Sequence, residues 1–179
     1  DFKVKEEDII IVHNGIDMEK FGRRTPYAAR STKERLGLGE GPVVGIVARL
    51  SDVKGHTYLI QAMKNVLESI PQAQLLIVGE GNQKEELVKL VNALGIQKNI
   101  FFIPSVTETT KVLSIMDIFV LPSLKEGLGL SLMEAMASGL AVIGSDVGGI
   151  KSLIQDGNNG LLVKPADSVS LSGGILELL

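Results

Sequence analysis

Short continuous apolar runs alternate with stretches of helical periodicity along these 179 residues, and that alternation limits the fold more than any single motif does. Residues 42–47, 74–78, 100–103, 118–121, 141–143 and 161–163 read as strands, with a shorter one at 9–12. Between them, 54–70 repeats Leu59, Ile60, Met63, Val66, Leu67 and Ile70 at helical spacing, and Pro71 ends it. Residues 30–36, 83–94, 107–115, 130–137 and 166–179 are the other helical stretches. Apolar runs without polar alternation are strands buried on both faces, and helices joining them make βαβ units. The expected fold is α/β and Rossmann-like, a mostly parallel sheet with helices on both faces, spanning 1–179 as one domain.

Composition removes several function classes. A net charge of −3 sets nucleic acid aside as a partner. With no cysteine there are no disulfides, zinc thiolates or thiol redox chemistry, which fits a cytoplasmic location. No apolar run approaches a membrane span. The chain opens on Asp1 rather than Met and stops inside a helical pattern at Leu179, so both ends are expected to be cut.

In doubly wound sheets, ligands bind beyond the carboxyl ends of the strands. After the 42–47 strand, Arg49 and Lys54 straddle the connection to a helix. Lys54 sits near a helix start, where the dipole favours acids, and an anionic ligand resolves that conflict; two solvated surface charges are the competing reading. After 74–78, Gly79-Glu80-Gly81 allows close backbone approach to a ligand or simply a tight turn. After 100–103, Val106 walls a nucleobase or packs on the core.

After 118–121 comes the densest segment. Glu126 and Glu134 flank Gly127, Leu128, Gly129 and Leu130, at the start of a helical pattern. A glycine-opened helix start offers bare amides to an anion, and two carboxylates beside it can hold hydroxyl groups. Phosphate plus polyol is the chemistry of a nucleotide sugar. With Glu126 counted on the helical frame, the two carboxylates would stand about 80° apart and reach one cleft. A further glycine turn, Gly144 to Gly149, borders the same end of the sheet. No GxxxxGK[ST] loop and no GxGxxG after a strand is present, so the kinase, P-loop and plain dinucleotide readings lose their main support. His13 and His56 are read as structural or solvated.

Taken in order, Ala48-Arg49-Leu50…Lys54-Gly55, Val78-Gly79-Glu80-Gly81 and Glu126 to Ala135 resemble the family 4 retaining glycosyltransferases. Segments 12–21 and 156–163 extend the likeness over essentially the whole chain. The part resembled is the C-terminal, nucleotide-sugar-binding half of a GT-B fold. The resemblance implies that Arg49 and Lys54 bind the donor pyrophosphate, Glu126 contacts the donor sugar, and Gly127, Leu128, Gly129 and Leu130 supply amides. Glu134 would hold the ribose hydroxyls, with Gly79 and Val106 bordering the base. It implies a hexose moved from a nucleoside diphosphate to an acceptor, with no metal and no cofactor besides the donor.

Leu128 stands where the family often has Phe, and Pro104 where it often has Gly. The acceptor-binding N-terminal domain and the C-terminal crossover helix are expected to be missing, so this piece alone should transfer no sugar. A peripheral membrane contact of the full-length protein stays open. The competing readings are a non-hydrolysing nucleotide-sugar epimerase-like GT-B domain and a non-catalytic α/β interaction module.

Overall fold

In the computed structural model, which describes residues 5–10, 12, 14–21 and 26–179, six strands lie side by side and all parallel. They are β1 (Val43–Val47), β2 (Gln74–Val78), β3 (Ile100–Ile103), β4 (Ile118–Leu121), β5 (Ala141–Ser145) and β6 (Leu161–Val163). Their order in the sheet is β3-β2-β1-β4-β5-β6, so the chain reverses its direction of travel across the sheet between β1 and β4. That switch point is where strand-end loops diverge and leave a crevice. The expectation of a Rossmann-like α/β fold is met.

Among the described residues, eight α-helices precede, connect or follow the strands: α1 (Met18–Phe21), α2 (Pro26–Leu36), α3 (His56–Ser69), α4 (Lys84–Leu94), α5 (Thr109–Leu113), α6 (Leu130–Ala137), α7 (Ile150–Leu153) and α8 (Ser168–Leu178). Successive strand residues point to opposite faces, and both faces are buried. Val44, Ile46, Leu75 and Ile77 meet α3, α4 and α8 through Leu59, Met63, Leu87, Val91, Leu171 and Ile175. Val43, Leu76, Val78 and Phe119 meet α5, α6 and α7 through Val112, Leu113, Leu132, Ala135 and Ile150. This double burial is why the strands read as unbroken apolar runs.

Some bounds differ from the sequence reading. The strand expected at 9–12 does not form among its described residues: Ile9, Ile10 and Val12 are exposed and join no ladder, and Ile11 lies outside the described residues. Both edges of β1 are already taken by β2 and β4, so an extra strand has no partner there. The helix expected from Lys54 begins only at His56, because Asp52–Lys54 make a 3-10 turn closed by Gly55 in the left-handed region, φ 71°. The last helix starts at Ser168, where the Asp167 carboxylate accepts the N–H groups of Val169 and Ser170 at 3.0 and 2.9 Å. Among the described residues, no helix is long and apolar enough to cross a membrane.

Candidate functional site

The loops leaving β1 and β4 face each other across the switch point. They are tied by the Leu124 N–H, which donates to the Val53 carbonyl at 2.8 Å. Arg49 and Lys54 come from the first loop, and Glu126 from the second. Lys54 Nζ lies 2.6 Å from Glu126 Oε2, and the two side chains are 24% and 12% exposed, so the pair is largely withdrawn from water. Ser123, wholly buried behind the loop, donates its hydroxyl to the same carboxylate oxygen at 3.2 Å. The Arg49 side chain is exposed and has no hydrogen-bond or ion-pair partner among the described residues.

A cavity of about 510 Å³ opens between these loops. Arg49, Lys54, Glu126, Leu128, Gly129 and Leu130, all singled out from the sequence, line it. Six lining residues that sequence reading did not select are Asn14, Val47, Ala48, Ser51, Val53 and Ser131. Ser51 and Val53 lie between the two cations and Ser131 follows Leu130, so their position in the chain was the available signal. Asn14 comes from the segment ahead of α1, and no local spacing announces it.

The stretch between Glu126 and α6 carries a second kind of donor. Gly129 caps α6 in the left-handed region, φ 79°, where any other residue would be strained. Its carbonyl accepts the N–H groups of Leu132 and Met133 at 3.0 and 3.1 Å. The amides of residues 127–131, in contrast, donate to nothing among the described residues. Five consecutive free amides ahead of and inside the first turn of a helix make the local potential positive. The backbone behind them is fixed from the β5 loop. Gly149 N–H donates to the Glu126 carbonyl at 3.0 Å. A Cβ at Gly148 would stand 2.2 Å from that carbonyl oxygen, and one at Gly149 would stand 2.2 Å from the Gly127 carbonyl oxygen.

The remaining selected residues sit elsewhere. Gly127 belongs to the free-amide stretch but does not line the cavity. Glu134 is half-buried on α6 and does not line it either. Because Glu126 lies in the loop before α6 rather than on its helical frame, the 80° separation expected of the two carboxylates does not apply. Gly79 ends β2 against the β1 loop, where a Cβ would stand 2.0 Å from the Ala48 carbonyl oxygen. Val106 lines another cavity, of about 470 Å³, with Arg35, Ser105, Glu108 and Lys111. There the Lys111 ammonium, by hydrogen bond and by charge, holds the Glu108 carboxyl below the usual carboxylate range. His13 lies outside the described residues. His56 is buried, and neither ring nitrogen has a hydrogen-bond partner. Burial, with Lys54 adding to it, lowers its pKa to about 4. Among the described residues, no three His, Asp or Glu side chains gather as a metal would require.

The sequence profile described as Glycosyl transferases group 1 matches residues 29–179. The GDP-mannose-dependent monoacylated alpha-(1-6)-phosphatidylinositol monomannoside mannosyltransferase of Corynebacterium glutamicum is 34% identical over 176 residues, covering 93% of this chain and 45% of that protein. The crystal structure of Anabaena HepE in complex with UDP-glucose is similar with a TM-score of 0.89 at 27% identity, over 98% of this chain and 49% of the other. The C-terminal domain of a glycosyl transferase group 1 family protein from Francisella tularensis is similar with a TM-score of 0.82 at 30% identity, over 92% of this chain and 87% of the other. The chain spans about half the length of the curated relatives it matches.

Proposed function

The chain belongs to the glycosyl transferases of group 1, and from that premise we propose that it is the donor-binding half of a retaining hexosyltransferase, taking its sugar from a nucleoside diphosphate. The supporting observation is that Arg49, Lys54, Glu126 and residues 128–131, whose amides donate to nothing among the described residues, line one cavity at the β1/β4 switch point. A diphosphate is the ligand that uses all of these at once. Two cations and a helix mouth meet its charge, while Glu126 faces the hydroxyl groups of the attached sugar.

The chemistry follows from that placement. When the bond between the sugar C1 and the phosphate oxygen breaks, the electron pair stays on the phosphate. Negative charge therefore grows on the leaving group. Fixed donors in a partly dehydrated crevice stabilise such charge far better than water does, since they need no reorganisation as it forms. This reading gives the work to Arg49, Lys54 and the α6 mouth and calls for no metal. Glu134 is assigned to the ribose hydroxyls, and Gly79 and Val106 to the border of the base. The acceptor is assigned to a facing domain, in keeping with relatives about twice as long as this chain.

The test is a thermal-shift panel of UDP-, GDP- and ADP-linked hexoses. At least one should raise the melting temperature of the chain, and Arg49→Ala or Lys54→Ala should abolish that rise. A panel in which none has any effect, or a rise that survives Arg49→Ala, contradicts the assignment.

A further inference from the structure

Ser123 lies outside the cavity and touches no ligand space, yet it is wholly buried and its hydroxyl points at the site. We propose that Ser123 is a positioning residue: together with Lys54 it clamps one oxygen of Glu126, so that the other is presented to a hydroxyl of the donor sugar. The inference rests on the donor reading above and adds to it a residue that acts only through another.

The geometry is one-sided. Glu126 Oε2 accepts from Lys54 Nζ at 2.6 Å and from Ser123 Oγ at 3.2 Å. Oε1 accepts no hydrogen bond among the described residues. A carboxylate on two carbon linkers rotates freely about its last bond unless something holds one end. Lys54 alone is a poor holder, because its ammonium has three donors on a flexible stem and the diphosphate claims some of them. The Ser123 hydroxyl is shielded from ligand and solvent, so its bond persists when the donor arrives. The backbone beneath is independently fixed, by the Leu124-to-Val53 and Gly149-to-Glu126 hydrogen bonds. What Ser123 adds is therefore the angle of the carboxylate, not the position of the loop.

This separates it from a serine that merely satisfies the core, since a core role would affect every ligand equally. The measurement is the dissociation constant of a nucleotide sugar and of its bare nucleotide, using UDP-glucose with UDP, GDP-mannose with GDP and ADP-glucose with ADP, on wild type and Ser123→Ala. Loss of a hydrogen bond to a charged group is worth about a tenfold change. The expected result is that Ser123→Ala weakens the sugar-bearing ligand about five- to tenfold while the bare nucleotide changes less than about twofold. Ser123→Cys, which fills the same volume with a poor donor, gives the same split should the alanine variant not fold. Equal weakening of both ligands, or none of either, overturns the proposal. A wild-type chain that binds none of the three pairs overturns the donor reading itself, and this inference with it.

Discussion

Lys54 and Glu126 hold each other at 2.6 Å in a place mostly closed to water, and each is therefore costly to remove alone. Lys54→Ala should destabilise the fold by about 1–3 kcal/mol, because it strands a half-buried carboxylate. Adding Glu126→Gln should recover part of that loss, and a double-mutant cycle in urea measures the coupling. Arg49 is exposed and unpartnered among the described residues, so Arg49→Ala should leave stability within about 0.5 kcal/mol while removing donor binding. If the two alanine variants lost stability equally, the structural difference drawn between them would be wrong.

His56 makes a separate prediction at this scale. Its folded pKa of about 4 lies below the usual 6.5, so the unfolded chain takes up a proton first as pH falls. Stability is full above about pH 6.5 and declines towards pH 4, by about 2 kcal/mol between pH 7 and pH 5. His56→Leu should flatten that limb in urea titrations at the two pH values. An unchanged slope would show that His56 is not its source.

At the level of elements, the apolar runs were legible because burial on both faces leaves no polar punctuation. β2, β3, β4, β6 and α6 fall where the periodicity put them. What the sequence could not show is how the strand-end loops press on one another. Lys54 reads as a helix start, yet Gly55 breaks the chain there and leaves Lys54 in a 3-10 turn aimed at Glu126. Ser123 sits in an ordinary Pro-Ser-Leu-Lys run, and only the folded loop brings its hydroxyl to a carboxylate. The glycines of the β5 loop carry the same lesson: a turn in sequence, a backbone-to-backbone contact in space. Gly149→Ala should push the Gly127 carbonyl away and weaken nucleotide-sugar binding along with stability, seen as a lower melting temperature and a smaller ligand shift. Gly173, in the exposed face of α8 with open space where a Cβ would go, should behave in the opposite way. Gly173→Ala should stabilise by about 0.5–1 kcal/mol without changing binding. A destabilising alanine at 173 would contradict the open space described there.

For the whole molecule, strand order decides where chemistry can happen. In the order β3-β2-β1-β4-β5-β6, the β1 and β4 loops part at the centre of the sheet, and the cations, the carboxylate and the free amides gather there. If the acceptor sits on another domain, as proposed, these 179 residues should bind a donor weakly and transfer no sugar, assayed by release of free nucleoside diphosphate with and without acceptor. The most direct test of the central claim follows the backbone amides themselves. An ¹⁵N-labelled chain titrated with UDP-glucose and with GDP-mannose should show its largest shifts at residues 127–131 and around Arg49 and Lys54. Shifts confined to the Val106 cavity, or spread without reaching residues 127–131, would contradict it.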